Sequence, residues 1–85
     1  MPERPHRTTL TFEYETTTLA ETVERSLRRE IGQIDDSRST TALDRDGSTV
    51  SLTIDAADLV ALRAAANTWL SLTAVAERTA ETVDF

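Results

Sequence analysis

Three arginines within five positions, Arg25, Arg28 and Arg29, are the side chains here best spaced to grip a ligand. Guanidinium groups one helical turn apart can touch successive phosphates. The same residues also suit the negative end of a helix, where they would simply be solvated. Glu13 and Glu15, two apart on one strand face, offer a pair for general acid–base work. That spacing is equally what the wet side of an alternating strand shows. Asp35-Asp36 and Asp44/Asp46 could gather a hard cation, but neither has the calcium-loop order of alternating ligands, central Gly and terminal Glu. His6 is the single His and stands near the N-terminus. The absence of Cys excludes thiolate metal sites, disulfides and a Cys nucleophile. The two glycines, Gly32 and Gly47, make no phosphate cradle. These groups point away from an enzyme, and no metal or cofactor is expected.

The elements that would hold these groups follow from hydrophobic periodicity. Residues 1–7 read as a loose start to a single domain spanning 1–85. Thr8 to Glu15 alternates, with Leu10, Phe12 and Tyr14 on one side, which predicts a strand covered on one face. Thr18 followed by Glu21 fits a capping box, and Leu19, Val23, Leu27 and Ile31 predict an amphipathic helix over 19–31, ended by Gly32. Ser39, Thr41 and Leu43 predict a weaker second strand. Asp46-Gly47 supplies a hairpin turn. Val50, Leu52 and Ile54 predict a third strand, after which Asp55 caps a long helix.

Strands one and two run the same way, because a helix returns the chain between them. Placing strand three in the middle makes every pair antiparallel, in the order 1-3-2. The expectation is an α+β two-layer sandwich with both helices on one face. Strands one and two are then open edges, where another chain's strand can add.

The long helix is the most informative element. From Ala56 to Ala76, fifteen of twenty-one residues are Ala, Val, Leu or Trp, and only Asp58 and Arg63 are charged. A surface helix buries one stripe, so an apolar surplus in a short chain implies cover from another chain. Leu59, Leu62, Ala66, Trp69, Thr73, Ala76, Ala80 and Val83 recur at spacings of three and four, a heptad seam. A second stripe, Ala61, Ala65, Thr68, Leu72, Val75 and Thr79, lies beside it. One stripe packs inward and the other is left for a partner. The seam is assigned to the partner, with Leu59, Leu62, Arg63, Ala66, Asn67, Trp69, Leu70, Thr73 and Ala76 as interface residues and Trp69 at the centre. The charge-free run Ala64–Ala76 falls short of the ~20 apolar residues of a membrane span. With no apolar leader in MPERPHR, a soluble cytoplasmic protein without a membrane partner is expected.

Fifteen acids stand against nine bases, and every base is Arg. Thr is abundant. This composition resembles that of proteins from salt-loving archaea; a high-GC genome, which also depletes Lys, is the alternative source. In ordinary salt a net charge of −6 opposes polyanion binding. Near 1 M salt, screening within ~3 Å leaves local Arg placement to decide.

Two resemblances bear on function. The element order is similar to that of KH RNA-binding domains, but the GxxG backbone clamp is missing and aromatic stacking residues are scarce. A free-standing KH-like RNA-binding protein using Arg25, Arg28 and Arg29 is the alternative reading. The segment DLVALRAAANTWLSLTAVAERT, following a hairpin, resembles the signature helix of the small Pcc-type subunit of the KEOPS complex. The shared pattern is Asp58, Leu62-Arg63, the small residues Ala64 to Ala66, Asn67, Thr68, Trp69 and Leu70. Ser71 and Thr73 stand where a second Arg is common, which weakens an RNA role for this face. The resemblance implies a non-catalytic subunit of the machinery that makes threonylcarbamoyladenosine at position 37 of tRNA. It also implies a homodimer that packs its helices on the catalytic subunit and meets tRNA indirectly or by weak backbone contact.

Overall fold

A computed structural model describes residues 5–82. The order is β1 (His6–Glu13), α1 (Thr17–Arg28), β2 (Ser39–Asp46), β3 (Thr49–Ala56) and α2 (Leu59–Thr82). The strands form one antiparallel sheet in the order β1-β3-β2. The fold is α+β, as the periodicity predicts.

Register follows from which face is buried. Val50, Leu52, Ile54 and Ala56 of the central strand are fully buried. They stand across from Phe12, Leu10, Thr8 and His6 on β1, and from Arg45, Leu43, Thr41 and Ser39 on β2. A one-residue slip would turn all of them to water. Ala20, Val23 and Leu27 of α1 and Ala65, Trp69, Ala76 and Ala80 of α2 complete the core against this face. The opposite sheet face holds Thr9, Thr11, Ser51, Thr53 and Asp44 and stays exposed or half-exposed. The hairpin turns through Gly47 and Ser48, and only Gly47 has positive φ, at 63°, the pattern of a two-residue II′ turn.

Several local expectations move by a few residues. His6 and Arg7 are not loose: they begin β1, and the Arg7 guanidinium donates to Asp55 at 2.7 Å. Residues 1–4 of that expected loose segment lie outside the described residues. The strand ends at Glu13, so Glu15 is in the connection and not on a shared strand face. Thr16, not Thr18, caps α1, its hydroxyl accepting from the Leu19 N–H at 3.0 Å. Thr16 has extended backbone, φ −135° and ψ 154°, which a cap requires, whereas Thr18 is already helical. The carboxylate of Glu21 is turned instead toward Arg45, 3.5 Å away. Helix α1 stops at Arg28, three residues short of Ile31, and turns through Gly32 at φ 88°. Asp55 lies within β3. The cap of α2 is Asp58, whose Oδ1 accepts the Ala61 N–H at 2.8 Å.

Candidate partner-binding surface

Helix α2 has two unlike sides. The inner side packs on the sheet and α1. Trp69 is fully buried, and its indole N–H donates to Thr41 Oγ1 at 3.0 Å. That bond explains a Thr in the middle of β2's buried face, since a buried indole N–H needs an acceptor. Thr73 is also buried, and its hydroxyl has no hydrogen-bond partner among the described residues. Ala61, Ala65, Ala76 and Ala80 let the helix lie close. At the far end Tyr14 donates its hydroxyl to Glu77 Oε2 at 2.7 Å. Burial, then that hydrogen bond and the Glu77 charge, push the Tyr14 phenol well above its ordinary range.

The outer side carries what the core does not use. Leu59, Val60, Leu70 and Val75 are 49%, 68%, 46% and 50% exposed, a surplus in an 85-residue chain. Arg63, Ala64, Asn67, Thr68, Ser71 and Arg78 lie exposed among them. A shallow groove of about 210 Å³ runs between α1 and α2, bordered by Leu72, Val75 and Thr79 on one side and Ser26 and Arg29 on the other.

This corrects the expected seam. Trp69, Thr73 and Ala76 are in the chain's own core, and Leu62 and Ala66 are half-buried against it. Of the nine expected interface residues, Leu59, Arg63, Asn67 and Leu70 are presented to the outside. The second stripe is also split: Ala61 and Ala65 are inward, Thr68, Val75 and Thr79 outward. Val83 lies outside the described residues. A repeat of three and four cannot say which of two neighbouring stripes faces the sheet. The recurrence of Arg63, Asn67 and Arg78 marks the wet side and is the signal that finds it.

The α1 arginines are divided as well. Glu24 takes Arg28 at 2.5 Å and Arg45 at 2.6 Å. Those hydrogen bonds, Arg28 first, hold the Glu24 carboxyl below its usual value. Arg25 and Arg29 stay outside this network, on an open groove of about 520 Å³ that Arg45, Glu21 and Glu24 also line. The network uses Arg45, which stands opposite buried Val50 at the end of β2's inner face and ties α1 to the sheet.

The other candidate groups stay apart. Asp35 accepts the Thr41 N–H and Asp36 accepts those of Arg38 and Ser39, so both brace the loop before β2. Asp58 is held below the ordinary carboxylate range by Arg38, then by the Ala61 N–H. Glu13, Asp44 and Asp46 point from the open sheet face. Among the described residues no three His, Asp or Glu side chains gather to hold a metal ion.

One expectation about α2 fails on length. Leu59–Glu81 is long and apolar enough to cross a bilayer by length and composition. Mean hydropathy over a window tolerates a charge or two, whereas Arg63 and Glu77 bound the charge-free run Ala64–Ala76. Its inner face is nonetheless spent on the sheet, through Trp69 and the alanines.

No curated protein matches the chain. A family model described as "Transcription factor Pcc1" matches residues 7–81.

Proposed function

The chain belongs to the Pcc1 family, and from that premise we propose that it is a non-catalytic dimerisation and scaffold subunit of the KEOPS tRNA-modification machinery. The observation that carries this reading is the outer side of α2. Exposed Val60, Leu70 and Val75 lie on a helix whose inner side is already filled, so association is the use left for them. In this reading the outer face binds the catalytic subunit that makes threonylcarbamoyladenosine at position 37 of tRNA. The edge strands β1 and β2, each paired on one side only, supply the self-association that joins two complexes. The protein works in the cytoplasm. The Lys-free, acid-rich chain is suited to an archaeal cell with concentrated salt, where a net charge of −6 repels little.

Direct nucleic-acid reading, which the family description or a KH-like role would require, has less support. The chain is acidic, and Arg28 is committed to Glu24. The test is reconstitution with the purified catalytic subunit. A stable complex with that subunit, and tRNA threonylcarbamoylation that falls when the chain is withheld, are expected. Binding of tRNA by the isolated chain, with no affinity for the subunit, would move the assignment to an RNA-binding protein.

A further inference from the structure

The open groove of about 520 Å³ between α1 and the end of β2 is lined by charged side chains alone. Arg25, Arg28, Arg29 and Arg45 stand there against Glu21 and Glu24. Four guanidiniums against two carboxylates leave the groove positive in a chain whose net charge is −6. The other acids of the helical layer, Glu30, Glu77 and Glu81, do not line it. Glu30 borders the groove between the two helices, and Glu77 accepts from Tyr14. Asp44 and Asp46 alternate with Arg45 along β2 and so belong to the opposite sheet face.

Two of the four arginines are fixed in place. Glu24 takes Arg28 at 2.5 Å on one oxygen and Arg45 at 2.6 Å on the other. Arg45 also donates to the Gly47 carbonyl at 2.9 Å, and Glu21 lies 3.5 Å from it. The acids of the groove are thereby committed to Arg28 and Arg45, and Arg28 keeps most of its donors free. Arg25 and Arg29, one turn apart on α1, are exposed and make no ion pair among the described residues. Like charges at that spacing weaken a helix. The negative end of the helix dipole offsets part of this, and an anion between the two guanidiniums would reverse it.

The lining limits what that anion can be. Guanidinium forks match phosphate oxygens two at a time. No aromatic side chain lines the groove to stack a base, and no apolar one to seat a hydrophobic anchor. A singly charged anion gains little beside Glu21 and Glu24, whereas a polyvalent one engages several guanidiniums at once. A long polyanion would also meet the rest of an acidic chain. A small one meets only the groove, whose volume is that of a ligand pocket.

We propose that this groove binds a small polyphosphate, either inorganic or the phosphate chain of a nucleotide, through Arg25 and Arg29 together with the Glu24-anchored Arg28 and Arg45. The site is separate from the outer face of α2, and the proposal does not rest on the KEOPS reading.

The test titrates the chain, in the lowest salt at which it stays folded, with inorganic triphosphate, ATP, sulfate and a uridine homopolymer RNA. Binding is read by calorimetry and by amide shifts. Triphosphate and ATP are expected to bind, with shifts confined to residues 21–29 and to Arg45, and sulfate at least tenfold more weakly. Similar affinities for triphosphate and ATP name the phosphate chain as the recognised group; tighter ATP binding at the same shifts names a nucleotide. Arg25→Gln/Arg29→Gln should lose tenfold or more in affinity for triphosphate and keep its melting. If the double variant melts lower, the two single variants serve instead, each expected to lose threefold or more. No binding of triphosphate, equal binding of sulfate, or unchanged affinity in the variants overturns the proposal. RNA that shifts the same residues at a lower phosphate concentration than triphosphate also overturns it, by naming a nucleic-acid backbone as the occupant.

Discussion

The two sides of α2 have similar composition and opposite fates. The inner side has one very large residue, Trp69, set among Ala65, Ala76 and Ala80; the outer side has no large aromatic and several β-branched or small residues. A three-stranded sheet offers a short, curved face, and one indole between small neighbours fills it. Apolar count does not decide which side is core. Volume contrast does, together with a polar acceptor such as Thr41 placed where the indole arrives.

The sharpest way to break this comparison is Trp69→Ala. If the inner side is core, the variant loses ~3–5 kcal/mol and unfolds or melts far lower, before any binding can be measured. A folded variant with weakened association would return Trp69 to the interface. Next comes Thr41→Val, which keeps the shape and strands the indole N–H. A loss of ~1–3 kcal/mol in chemical denaturation is expected, and an unchanged midpoint would show the bond to be dispensable.

Tyr14 tests the far end of the same side. A raised phenol pKa means that the neutral form is favoured by folding, so its contribution is whole below the ordinary value of ~10 and is lost as pH rises through the folded value. The chain has one Tyr, no Cys and no Lys, so above pH ~9 no other side chain but Arg can titrate. Melting should fall at alkaline pH in wild type and stay flatter in Tyr14→Phe; parallel curves would reject the contact. The smallest effect belongs to the outer side. Val60→Ser with Val75→Ser should shift stability by only ~0.5 kcal/mol per site while weakening the catalytic-subunit complex. A stability loss of core size would erase the distinction between the sides.

How much of this was legible in the chain depends on how many residues compete for one role. Val50, Leu52 and Ile54 have no rival for the central strand, so element order and sheet order read correctly. Caps read less well because Thr16, Thr17 and Thr18 are chemically alike, as are Asp55 and Asp58; each satisfies the same rule, and tertiary pairing decides. Asp55 was drawn off by Arg7, and Asp58 was left to cap. The candidate surface read half correctly. An apolar surplus on α2 is visible in composition, whereas its direction depends on the Trp69–Thr41 match across 28 residues, which no local window contains.

That match also makes the molecule its own spectroscope. The one Trp is out of water and hydrogen-bonded to a hydroxyl, so its emission should sit toward the blue and move red only when the sheet and α2 part. A partner arriving on the outer side, a helix diameter away, would leave that emission untouched. Intrinsic fluorescence here reports folding alone, and a titration that changes it is reporting that the core has opened.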